Sequence, residues 1–282
     1  MMSRETTQLR ADFQFSQASL QDYVECARRF QLRYVERVAW PAPQAQPISE
    51  YEQRLERGQV FHRLVQQQLL GIPEAKLTPA DPELHRWWEA YLAARPAALE
   101  GRRYIEAGLA ATVAGKRLMA QYDLVLLTPH AALIFDWKTS ERPQKSGAVE
   151  RLFERMQTRV YRYLLVRAGA DLNSGRPLAP EQVTMTYWFA ETPAEPVTFA
   201  YNADQFAADE RVLTGVIAEI CGRDPHALWE LTVEERRCAF CPYRSLCERG
   251  VAAGELHRED EIEAPAPAPF DLDFEQIAEI AF

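Results

Sequence analysis

Asp123, Asp136 and Lys138 fall within one stretch, Gly115–Ser140, GKRLMAQYDLVLLTPHAALIFDWKTS. Lys116 to Leu127 is a run rich in apolar and aromatic residues, Thr128-Pro129-His130 is a turn-forming interruption, and Ala131 to Asp136 is a second apolar run. That pattern predicts a β-hairpin. Asp123 lies inside its first strand. Asp136 and Lys138 close the second, and alternation along a strand turns both to the same face. Two carboxylates and an ammonium at half-buried sheet positions cost free energy unless something compensates, and a divalent cation is the usual compensation.

A second group with metal-binding chemistry lies near the C-terminal end, CAFCPYRSLC, in which Cys238, Cys241 and Cys247 are spaced C-x2-C-x5-C. Three thiols so close in an intracellular chain suggest a metal, with a fourth ligand supplied from elsewhere. Cys26 is the candidate, and both iron-sulfur and zinc occupants stay open. Cys221 is left over and reads as a buried thiol.

The arrangement D-(x12)-D-W-K resembles the PD-(D/E)XK nuclease superfamily and, within it, the RecB-like exonuclease branch. Other motifs of that family occur in the same order. F-S-x3-L-x2-Y-x2-C ends at Cys26, G-x3-H joins Gly58 to His62, Q-x3-Y joins Gln157 to Tyr161, and the three C-terminal cysteines follow. The resemblance spans roughly residues 13–249, with two departures: Ala27 where the family has Pro, and Ala120 where it often has Gly. It implies that His62, Asp123 and Asp136 hold Mg or Mn, with the Trp137 carbonyl as a further ligand. Lys138 would position the attacking water or stabilise developing charge. Gln157 and Tyr161 would organise the site and contact DNA. Cys26, Cys238, Cys241 and Cys247 would bind a 4Fe-4S cluster, as in AddB-like and CRISPR-associated RecB-like exonucleases, with zinc as the alternative occupant. From its neighbours Phe61, Leu64 and Val65 alone, His62 reads as an interior histidine; the resemblance makes it a metal ligand.

Around these residues the periodicity predicts a helix behind the Ser-rich start at Phe15, with Arg28, Arg29 and Arg33 as its solvated face. A second helix runs from about Ser49 through Gly58 and His62. A third lies within Pro79–Arg95, with Trp87, Trp88, Tyr91 and Leu92 as a packing stripe. Tyr104–Val113 reads as a strand with Glu106 near its start. The segment after Lys138 predicts one helix, GAVERLFERMQTRVYRYLLVRAG, whose apolar face carries Leu152, Phe153, Met156, Val160, Tyr163 and Leu164. Arg151, Arg155, Arg159 and Arg162 occupy its opposite, solvent-exposed side. Gln182–Ala190 and Val197–Tyr201 read as strands and Ala203–Cys221 as a helix. The expected fold is α/β, a restriction-endonuclease-like mixed sheet flanked by helices, with N- and C-terminal segments joined by four thiolates.

Composition supports a globular chain of 282 residues, 47% apolar, with no apolar run of membrane-spanning length and no leader near Met1. A soluble cytoplasmic protein is the resulting expectation. The net charge of -9 is concentrated: Glu255–Phe282 holds nine acids and one Arg, or -8, leaving -1 for the rest. A near-neutral body does not exclude DNA. Residues 1–254 read as the nuclease domain and 255–282, set off by Pro265-Ala266-Pro267-Ala268-Pro269, as an acidic, disordered tail that solubilises, docks on a helicase or single-strand-binding protein, or folds back over the DNA groove as an acidic competitor. The expected function is a metal-dependent DNase, an exonuclease on single-stranded ends in repair or recombination. Two other readings stand beside it: a CRISPR adaptation nuclease, and a catalytically silent DNA-binding or scaffolding module.

Overall fold

The structure, a computed structural model, describes residues 9–38, 48–95 and 100–251, apart from the side chains of 48–52 and of Phe240. The loop expected at Pro41–Pro47 and the tail at 255–282 lie outside the described residues.

The chain opens with a short strand β1 (Phe15–Ser16) and helix α1 (Gln17–Glu25). Ser16 caps α1, accepting from Ser19 N at 3.2 Å while its own N–H donates to Ser19 Oγ at 2.9 Å. The single helix expected here is broken at Cys26, whose backbone is extended (φ -162, ψ 108), and resumes as α2 (Ala27–Phe30) and a π-helical turn, Gln31–Val35. Helix α3 (Ile48–Leu69) and helix α4 (Pro82–Ala94) follow, the latter capped by Asp81 with Pro82 in its first turn. Strands β2 (Arg102–Val113) and β3 (Lys116–Leu127) form a long antiparallel hairpin. Its tight turn uses Ala114 and Gly115, both at positive φ.

Strand β4 (Ala132–Lys138) pairs antiparallel with β3, as the turn chemistry predicted. The helix expected after Lys138 is instead two, α5 (Ala148–Glu154) and α6 (Met156–Ala168), because Arg155 leaves the helical region at ψ 146. They form the crossover to β5 (Val183–Phe189), which runs parallel to β4. Strand β6 (Val197–Ala200) and helix α7 (Ala203–Gly222) complete the regular elements, before two 3-10 turns at Glu235–Phe240 and Arg244–Cys247. Among the described residues the sheet has six strands, ordered β1-β3-β4-β5-β6, with β2 on β3.

Both faces of this mixed sheet are covered. A larger core joins it to α1, α6 and α7 through Leu20, Tyr23, Val160, Leu164, Leu213 and Ile217. A smaller, aromatic core joins it to α3 and α4 through Phe61, Trp87, Trp88, Tyr91, Trp137 and Trp188. The Trp87, Trp88 and Tyr91 stripe is therefore packing surface, as its spacing predicted. Three expectations about exposure are overturned. Arg28, Arg29 and Arg33 are no solvated face: their side chains are only 15%, 14% and 22% exposed, because Glu36, Asp22 and Glu25 pair with them. Arg162 is fully buried, its guanidinium between the Phe153 and Tyr201 rings at 4.7 and 4.5 Å, because α7 and its Asp209 pack over that side of α6. Cys221 is exposed, since it lies on the outward face of α7.

Strand alternation changes phase once, and the place matters for the site. Upstream in β3, Leu118, Ala120 and Tyr122 face the larger core; downstream, Val125 and Leu127 do, while Leu124 joins the smaller. The same switch occurs in β2 between Ala107 and Ile105. The residues at the switch are Asp123 and, across from it, Glu106, which sits at φ 52.

Candidate active site

Alternation on β4 turns Asp136 and Lys138 toward α6 and sends Trp137 into the aromatic core between them. Lys138 Nζ lies 2.7 Å from Asp136 Oδ1. Gln157, in the first turn of α6, ties the two together, accepting from Lys138 Nζ at 2.8 Å and donating through Nε2 to Asp136 Oδ2 at 2.7 Å. Asp123 accepts the Trp137 backbone N–H at 2.9 Å, so the strand that carries Asp136 and Lys138 also fixes Asp123. His62 reaches over from α3, its Nδ1 3.4 Å from Asp123 Oδ2. Gly58, one turn earlier, sits against Thr139, the residue after Lys138. Asp123 of β3, the Asp136–Lys138 pair of β4 and His62 of α3 are thus gathered at one place on two central strands.

Tyr161 is buried beside Gln157 and packs on Tyr122 with ring centroids 4.8 Å apart. Gln157 and Tyr161 are both interior here, bonded within the protein. Two residues that no motif marked complete the surroundings. The Tyr187 ring lies beneath Lys138 Nζ at 5.3 Å, and its hydroxyl bonds to Thr158 at 2.8 Å. Glu106 brings a further carboxyl near Asp123 and accepts from Gln121 at 2.8 Å. Tyr187 was hidden because β5 pairing depends on a long crossover, and Glu106 because a phase switch across two strands leaves no signature in either alone.

The electrostatics show where the group is costly. Burial raises the Asp136 pKa, the Lys138 charge opposes, and the Asp123 charge adds to the rise, leaving Asp136 at about 6. Burial acts the same way on Asp123, but the charge and hydrogen bond of His62 outweigh it and hold Asp123 below the ordinary value. For His62 burial pulls down and the Asp123 carboxylate pulls up more strongly, so the imidazole holds its proton above its usual range. Among the described residues, no three His, Cys, Asp or Glu side chains stand in metal-holding geometry. The donor chemistry nevertheless fits a hard divalent cation: a buried carboxyl with a raised pKa and a half-buried carboxylate face a single ammonium and an imidazole.

The four candidate thiols also converge. Cys26, Cys238, Cys241 and Cys247 line one small cavity with Arg29, Arg237, Tyr243 and Arg244. The extended backbone at Cys26 puts its thiol at the break between α1 and α2, and the two 3-10 turns present the others. All are free thiols, and burial pushes Cys241 up to about 11. The segments are tied without sulfur as well. Gln31, buried, donates to Ala227 O at 2.6 Å and accepts from Trp229 N at 3.0 Å, while Phe30 stacks on Trp229 at 5.9 Å.

A six-stranded mixed sheet, helices on both faces, and a carboxylate pair with lysine at the end of one strand define an α/β protein of the restriction-endonuclease-like kind. The profile of the PD-(D/E)XK nuclease superfamily matches residues 14–248, and the chain belongs to that superfamily. Among solved structures, one from Eubacterium rectale described as a candidate exonuclease is 10% identical, with 86% of this chain and 90% of that chain covered and a TM-score of 0.50. The protein SSO0001 is 14% identical over 88% of both chains, with a TM-score of 0.39. At these identities the former is a likeness of fold. No curated protein matches the chain significantly. No helix among the described residues is long and apolar enough to cross a membrane.

Proposed function

We propose that this protein is a divalent-metal-dependent DNA nuclease of the RecB-like branch, an exonuclease acting on single-stranded ends in repair or recombination. The observation that carries the reading is the Asp136–Lys138–Gln157 clasp set beside the Asp123–His62 pair. Asp123, Asp136 and His62, with the Trp137 carbonyl, would hold Mg2+ or Mn2+, which when bound acidifies a water and offsets phosphate charge. Lys138 supplies a fixed positive charge for the transition-state phosphate, and Gln157 holds that ammonium in place. Asp123 stays ionised at neutral pH because His62 and the Trp137 N–H favour its charged form.

The four cysteines are proposed as ligands of a 4Fe-4S cluster that joins the two ends of the domain, which we place at residues 1–254. Their shared cavity supports this, and thiolate donors suit iron-sulfur or zinc. The test is incubation of anaerobically purified protein with end-labelled single- and double-stranded DNA, with and without Mn2+. Stepwise shortening of single strands only when metal is present is expected. Absence of metal-dependent cleavage on either substrate overturns the proposal, and stoichiometric zinc without iron overturns the cluster.

A further inference from the structure

Helix α6 holds Gln157 in its first turn, yet Arg155 offers that helix no side-chain cap. The first N–H groups of a helix have no partner within it, and a cap left unmade weakens the helix's first turn. Here the acceptor comes from another element: Gln21 of α1 receives the Met156 N–H on Oε1 at 3.0 Å. The amide is itself anchored, since Gln21 Nε2 donates to Glu25 Oε1 at 2.9 Å. Glu25 in turn pairs with Arg29 at 2.5 Å and with Arg237 at 3.0 Å. Both arginines line the cavity of the four cysteines, and α1 ends at Cys26 on the same wall. Continuous contacts therefore run from the thiol cavity through Glu25 and Gln21 to Met156, and the next residue is the one that grips Lys138 and Asp136.

We propose that Gln21 is a positioning residue that couples the walls of the thiol cavity to Gln157, so that the state of the cysteines is felt at the catalytic lysine. The coupling rests on the nuclease assignment above for its consequence but not for its geometry. Gln21 bonds to the helix cap and to Glu25, so its effect is on the register of the first turn of α6. A displacement of that turn would stretch the bonds that Gln157 makes to Asp136 and Lys138 and leave the substrate surface untouched.

The test compares the metal-loaded wild type with Gln21→Met, which keeps the side chain's length and removes both hydrogen bonds. Expected are a fall in kcat of about tenfold with KM within about twofold, and faster hydrogen exchange at the Met156 amide, which loses its acceptor, and at the Arg159 amide, which closes the first turn onto Arg155 O. Glu25→Gln, milder because it retains the acceptor for Gln21, should move both readouts in the same direction and keeps the test open if Gln21→Met folds poorly. Arg237→Gln, on the cavity wall, should slow cleavage in the wild type and add little in the Gln21→Met background, since sites on one path are not additive. Full additivity, or unchanged exchange at those amides in both Gln21→Met and Glu25→Gln, overturns the coupling. A wild type that cuts no DNA overturns the nuclease assignment instead, and the exchange measurements, which need no activity, then decide the coupling alone.

Discussion

Asp136 carries the largest electrostatic cost in the site, and that cost makes a prediction opposite in sign to the usual one for an aspartate. Its carboxyl titrates near 6 in the folded, metal-free protein against 3.8 for the exposed group. The folded state therefore binds the proton more tightly between those values, so this group's contribution to stability is present below about pH 4 and lost as pH rises through 6. Asp136→Asn should stabilise the metal-free protein at pH 7 by about 1–2 kcal/mol and flatten the pH dependence of its urea unfolding. Mn2+ should stabilise the wild type above pH 6 and lose that effect in the variant. A wild type that gains stability between pH 4 and 6 through this residue would contradict the assignment. Tyr187 gives a second prediction at this scale. Tyr187→Phe keeps the ring beneath Lys138 and removes the hydroxyl held by Thr158, so cleavage should fall only a few-fold, whereas Tyr187→Leu should lose about tenfold or more because the ring face is gone.

At the scale of elements, the parts legible in the sequence were those whose signal is local. The β3–β4 hairpin announced itself through Thr128-Pro129-His130 between two apolar runs, and α4 through its Trp87, Trp88 and Tyr91 stripe. The breaks at Cys26 and Arg155 were not legible, because the apolar period runs straight through both and neither carries Gly or Pro. What ends those helices is tertiary: Arg28 N–H pairs with Glu230 O at 3.0 Å, and the Met156 N–H with Gln21. The same blindness hid Arg162, whose exposure was inferred from α6 alone while α7 supplies the covering layer. Gln31 offers the test here. Gln31→Ala strips partners from the Trp229 N–H and the Ala227 carbonyl, so it should cost about 2–3 kcal/mol in urea unfolding. A cost under about 0.5 kcal/mol would mean that the terminal segments are held by something else.

In the whole molecule, two apolar layers brace one mixed sheet, and the site lies where the sheet's alternation changes phase. That switch brings Asp123 to His62 of α3 while Asp136 and Lys138 face α6, so the two groups meet from opposite layers. The thiol cavity lies beside the tie between the domain's ends, and under the proposed 4Fe-4S assignment Cys26→Ser or Cys241→Ser should lower the melting temperature and remove the visible absorption that the cluster would give anaerobically prepared protein. Unchanged melting in both variants would separate the cysteines from stability. The most direct measurement is metal-dependent cleavage of end-labelled single-stranded DNA by the wild type beside Asp123→Asn and Lys138→Met, with folding of each checked by circular dichroism. The expected result is Mn2+-dependent shortening by the wild type and a loss of about 100-fold or more in both variants; undiminished cleavage by either folded variant would contradict the assignment of this site.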